Sequence, residues 1–224
     1  MFQNIHFVEQ STFVSDFILA LISAFLSLKV ADFKEKSPFS TAWSGYFKLM
    51  ALTALVGGFG HLLNAYTGIS LRIVSWLIGL SSIYFLEKEM LKLVKLPAFV
   101  NYIPLVKGLI FATFAIYWQV FTPVKVGLTL GMVFIVCPVL FYFYHRSENK
   151  GYLLILAFIL ANGFSGIAHS QNITLGEWCN GNDLAHYISA TCLIGMFVGV
   201  KSVNNVDEDI FGEEEVLQLE NNER

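Results

Sequence analysis

The chain has 224 residues, 55% of them hydrophobic and 14% charged, with a mean hydropathy of +0.61 and a formal net charge of −3. Soluble domains carry about 25% charged residues, so this composition excludes an ordinary soluble domain and names lipid as the solvent. No basic patch suits a nucleic acid, and Cys137, Cys179 and Cys192 show neither metal-ligand spacing nor a disulfide framework.

A helix crosses a bilayer with about 20 mostly apolar residues, and seven windows qualify. The first, Thr12–Val30, follows a start without basic residues and is long enough to span, which reads as a crossing helix and not as a cleaved signal. Asp16, Ala20, Ser23 and Ser27 form one stripe along it at helical spacing. Trp43–Asn64 carries Thr53, Gly57, Gly60, His61 and Asn64, and Ile69–Leu86 carries Arg72, Ser75, Gly79 and Ser82. Tyr102–Val120 and Lys125–Tyr144 are separated only by a turn at Phe121 to Val124, and Pro104 and Pro138 should bend their helices. Tyr152–His169 bears Asn162, Ser165, Gly166 and His169; Asn182–Val200 bears Asp183, His186 and Ser189. The pairs Gly127/Gly131 and Gly195/Gly199 are spaced for close helix packing.

Basic residues set an orientation. Lys29, Lys34, Lys36, Lys48, Lys88, Lys92, Lys95, Arg146, Lys150 and Lys201 flank one set of loops, whereas only Arg72 and Lys125 flank the other. The expectation is an all-α, seven-helix transmembrane bundle over residues 1–201, with the N-terminus outside and the C-terminus cytoplasmic. Residues 202–224 hold eight of the 17 acids and read as a disordered, solubilising cytoplasmic tail. Glu87 to Lys95 reads as an amphipathic end at the inner interface, and Trp43, Trp76, Trp118 and Trp178 as interface anchors. His6 and His145 read as solvated and interfacial, respectively.

This topology gathers Asp16, His61, His169, Asp183 and His186 at the outer end. Ionisable groups near hydrocarbon are costly, so such a cluster is a candidate site. Imidazole and carboxylate suit zinc, with His61, His169 and His186 as metal ligands and Asp16 or Asp183 orienting or deprotonating a water. Without metal, the same groups make a hydrogen-bond network, Arg72 pairing with Asp16 or Asp183. A network of this kind can anchor a lipid head group, bind a small molecule, relay protons, or only hold helices together.

Three motifs carry a resemblance: Ser15-Asp16-Phe17-Ile18-Leu19-Ala20, Gly57-Gly58-Phe59-Gly60-His61 and Asn182-Asp183-Leu184-Ala185-His186. Together they resemble a family of uncharacterised bacterial seven-helix membrane proteins, which implies a bacterial cytoplasmic membrane but no activity. More distantly the layout is similar to the CREST superfamily of alkaline ceramidases and adiponectin receptors. That similarity implies membrane-embedded, zinc-dependent hydrolysis of a lipid amide or ester, with His61 and His186 matching two zinc ligands. Gly57 stands where that superfamily has Ser, Asn182 where it has the first His of its last pair, and Arg72 and Ser75 where it has Asp. Three functions stay open: such a hydrolase, a receptor-like or structural protein, and a transporter of protons or small solutes.

Overall fold

The computed structural model describes residues 9–33, 37–94, 96–176 and 178–204. Among them every regular element is helical, and a single bridge between Gly176 and Cys179 is the only extended pairing. The long helices are α1 (Gln10–Ala31), α2 (Pro38–Leu62), α4 (Ser70–Lys92), α5 (Ile103–Trp118) and α10 (Gly181–Asn204). A one-turn helix α3 (Asn64–Thr67) bridges α2 and α4, and a 3-10 turn over Ala98–Tyr102 leads into α5.

Two further long helical stretches are interrupted. One runs α6 (Thr122–Gly131), a π turn (Met132–Val136) and α7 (Cys137–Ser147). Pro138 explains the π turn: it lacks an N–H, and its ring crowds the carbonyl four residues back, so the preceding coil widens. The other runs α8 (Lys150–Ala161) into α9 (Gly163–Ser170), broken at Asn162, whose carbonyl takes both the Ser165 hydroxyl (2.7 Å) and the Ser165 amide (3.0 Å).

Among the described residues six segments are long and apolar enough to cross a membrane: Gln10–Ala31, Ser70–Lys92, Ala98–Trp118, Thr122–Ser147, Lys150–Ser170 and Gly181–Asn204. The 25-residue α2 falls outside this set and carries Lys48, His61 and several serines and glycines. It is nevertheless central, packed between α1 and α4, while α10 closes the far side against α1, α8 and α9. A helix enclosed by neighbours has less need of an apolar surface than one facing lipid. The peripheral α5 shows the opposite pattern, burying only Pro104 and Ala115 and presenting Leu109, Ile116 and Tyr117 outward.

One end of the bundle is held by an aromatic core. Phe39 meets the Tyr152 ring edge-on at 5.5 Å, Trp43 meets Tyr46 at 5.7 Å, and Phe143 stacks on Tyr152 at 5.8 Å. Trp43 is fully buried there and is therefore a core residue and not an interface anchor, whereas Trp118 and Trp178 are exposed. Glycines permit the closest approaches: Gly195 faces the Phe158 ring, and Gly199 faces Ile155 and the Gly151 carbonyl. The acidic tail beyond Asn204, together with His6, lies outside the described residues.

Candidate functional site

The opposite end of the bundle is polar, and its centre is the contact of α1 with α10. The start of α10 is built by a capping box, in which an N-cap side chain and an acid three residues on satisfy each other's free amides. Asn180 Oδ1 accepts from the Asn182 amide (2.8 Å) and the Asp183 amide (3.2 Å), and Asp183 Oδ2 accepts from the Asn180 amide (3.0 Å). The Asn180 side-chain amide donates across to Thr12 Oγ1 at 3.2 Å, which ties this cap to α1. Asp183, wholly buried, thus sits where the helix dipole favours an anion.

From that anchor the cluster spreads inward. Ser15 Oγ lies 3.2 Å from Asp183 Oδ1, 2.9 Å from His186 Nδ1 and 3.0 Å from the Thr12 carbonyl. His186 Nε2 faces Asp16 Oδ1 at 3.3 Å. One imidazole therefore bridges a hydroxyl and a carboxylate on the same helix. Asp16 is 4% exposed and Ser15 fully buried. Glycines let α2 come this close: a Cβ on Gly58 would stand 3.1 Å from Asp16 Cβ, and one on Gly57 3.0 Å from Ser75 Oγ. Ser75 in turn donates to the Thr53 carbonyl at 2.8 Å, joining α4 to α2.

The other expected residues form the rim. His61 Nδ1 pairs with Glu9 Oε2, just ahead of α1, and the hydrogen bond from His61 holds the Glu9 carboxyl below its ordinary value against the opposing effect of burial. His169 Nδ1 meets Asn182 Oδ1 at 2.6 Å and packs edge-on against Phe121. Arg72 donates to Asn64 Oδ1 and not to Asp16 or Asp183, because Gly60 brings α2 against the Arg72 backbone and puts Asn64 within its reach. Lys125 Nζ donates to Ser170 Oγ at 2.5 Å.

All five expected residues thus share one end of the bundle. They do not converge on a common point. His61, His169 and His186 each bind a different acceptor, and among the described residues no group of three His, Cys, Asp or Glu is placed to hold a metal ion. As arranged, the set does not fit a three-ligand zinc centre, and Ser15 is too enclosed to meet a substrate.

The family comparison covers most of the chain: residues 11–205 match the model of a family of unknown function, DUF6962. The chain belongs to that family. No curated protein and no solved structure matches it. The matched span of this DUF6962 member runs from the start of α1 through the end of α10, so the polar cluster and the bundle that holds it fall inside it.

Several residues of the site escape a pattern-based reading. Asn180 and Asp183 carry a legible signal, the Asn-x-x-Asp form of a capping box. Ser15 is adjacent to Asp16, but only the observed contacts show that it joins His186. Glu9 lies ahead of the apolar window. Further along, Glu87 is fully buried and paired with Lys107 of α5, so it is not an amphipathic interfacial residue. A lone lysine inside the Tyr102–Val120 window was the available sign.

Proposed function

We propose that this DUF6962 member is a seven-crossing membrane protein, N-terminus outside and C-terminus cytoplasmic, that takes up protons through its outer His186–Asp16 pair. The observation that carries this is the seating of the His186 imidazole, with Ser15 at one nitrogen and Asp16 at the other. Between Nε2 and Oδ1 a single proton serves both partners. When it moves from Nε2 to Oδ1, an imidazolium and a carboxylate become a neutral imidazole and a carboxylic acid, with no net change in charge. The Ser15 hydroxyl adapts to either state. It donates to Nδ1 when that nitrogen is bare, and accepts from it when protonated, turning its own hydrogen to Asp183 or the Thr12 carbonyl.

Intramembrane Asp and His are the residue types of proton relays, and interrupted spans such as α6–α7 and α8–α9 are found where membrane proteins line binding sites. Hydrolysis of a lipid amide or ester is the weaker reading, because it needs a metal centre or an accessible nucleophile and the site offers neither arrangement. A purely structural role is the competing one, since each polar group described above also joins two helices.

Purified protein reconstituted in liposomes containing a pH-sensitive dye separates the two. Under an imposed pH gradient or potential, the wild type should acidify the lumen faster than empty vesicles, and Asp16→Asn and His186→Gln should abolish the difference. Flux no greater than in empty vesicles refutes the proposal and leaves the structural role. Orientation is tested with Cys179, a free thiol in the loop before α10. An impermeant maleimide should label it in intact cells, and labelling seen only after lysis refutes the assigned sidedness.

A further inference from the structure

Deeper in the bundle than the His cluster, α4, α5 and α6 enclose a second pair of charges. Glu87 of α4 is fully buried, and its Oε1 is bonded by Lys107 Nζ of α5. The same ammonium donates to the Gly127 carbonyl of α6 at 2.9 Å, one turn ahead of the π segment. Glu87 Oε2 is buried with no hydrogen-bond partner. Gly131 closes the chamber: a Cβ there would overlap Glu87 Oε1 and stand 2.6 Å from Ile83 Cγ1. Ser75, beside Asp16, is twelve residues from Glu87 on the same helix, so the two charged sites are roughly 18 Å apart along the axis at 1.5 Å per residue.

Other charges near these elements are engaged elsewhere. On α4, Arg72 binds Asn64, Glu89 pairs with Lys92 at 2.6 Å, and Lys88 lies over the Tyr84 ring. Lys48 of α2 is exposed, and Lys125 of α6 is bound to Ser170 beside the His cluster. Lys107 is therefore the single charge that faces Glu87 among the described residues. Burying two ions costs several kcal/mol each unless geometry and hydrogen bonds offset it, and a carboxylate oxygen left without a donor forgoes part of that offset. A purely structural pair would do better with both oxygens bonded.

Resting on the proton-uptake reading, we infer that Glu87 is a second proton-binding site, deeper in the bundle than the first, whose protonation releases Lys107. The proton adds to Oε2, the free oxygen, giving a neutral carboxylic acid. Lys107 then loses its ionic partner while keeping the Gly127 carbonyl. The bundle thus offers a second proton acceptor deeper along its axis, which a relay spanning it requires and an outer receptor site does not.

An apolar carbodiimide, which adds to protonated carboxyls in hydrocarbon surroundings, tests this on the intact wild-type chain in lipid nanodiscs. Mass mapping should place the adduct on Glu87, more of it in acidic than in alkaline buffer. A folded wild type with no adduct on Glu87 in either buffer overturns the inference, as does labelling that ignores pH. In the liposome assay, Glu87→Gln and the charge-neutral double variant Glu87→Gln, Lys107→Met should both lose flux. Flux retained in the double variant but lost in Asp16→Asn overturns this inference alone and leaves the outer site standing. Absence of wild-type flux instead refutes the reading on which it rests.

Discussion

Replacing Asp183 separates the structural from the chemical contribution of the polar cluster between α1 and α10. Its Oδ2 accepts the Asn180 amide at 3.0 Å, its Oδ1 lies 3.2 Å from Ser15 Oγ, and the side chain is wholly buried. In Asp183→Ala one half of the capping box disappears and the half-buried Asn180 amide loses its acceptor. The expected loss is about 1–3 kcal/mol of stability, with part of it recovered if water enters the space. Asp183→Asn should cost less than about 1 kcal/mol. Its Oδ1 can still accept from Asn180, while its Nδ2 donates to Ser15, whose own hydrogen then turns to His186 Nδ1 or to the Thr12 carbonyl. Unfolding in mixed micelles, followed by circular dichroism at matched lipid content, reads both variants. If Asp183→Ala falls within about 0.5 kcal/mol of the wild type, the range of ordinary surface changes, the capping argument is wrong. If Asp183→Asn is as damaging as Asp183→Ala, the negative charge and not its hydrogen bonds holds α10 to α1.

The Glu9–His61 contact predicts a pH dependence of definite sign. A carboxyl held below its ordinary value of 4.5 stabilises the folded state above that pH, and the contribution is lost as pH falls through the lowered value. Thermal stability of the wild type should thus drop in acid more steeply than that of Glu9→Gln, and parallel curves would show that the pair contributes nothing. Gly131→Ala should destabilise by about 3–5 kcal/mol, since the added methyl overpacks the chamber and pushes a buried ion pair apart. The same substitution made together with Glu87→Ala and Lys107→Met should cost much less. An equal cost in both backgrounds would show that the ion pair is not what the methyl meets.

Hydropathy and helical periodicity, read along the chain, located the helices and the end at which the polar residues meet. Both are local properties: an apolar run of sufficient length has to be a helix in lipid, and a stripe of Asp16, Ala20, Ser23 and Ser27 has to face other protein. All four of those residues are indeed buried. The small-residue pairs Gly127/Gly131 and Gly195/Gly199 were likewise legible as points of close approach, and each faces a neighbouring side chain as expected.

Partner choice was not legible, because it depends on angles and separations between helices that no single window contains. Arg72 had two carboxylates as plausible partners and binds Asn64, one short turn of helix away, because Gly60 holds α2 against the base of α4. The three histidines share an end but spread over α2, α9 and α10, so each meets its nearest acceptor before it can meet the others. Glu87 looked interfacial from its neighbours Lys88, Glu89 and Lys92, which do lie near the helix end. Only the packing of α5 and α6 onto its own face of α4 makes it a buried ion. Composition and period thus specify which residues leave water or lipid, and the crossing of distant helices decides which of those residues touch.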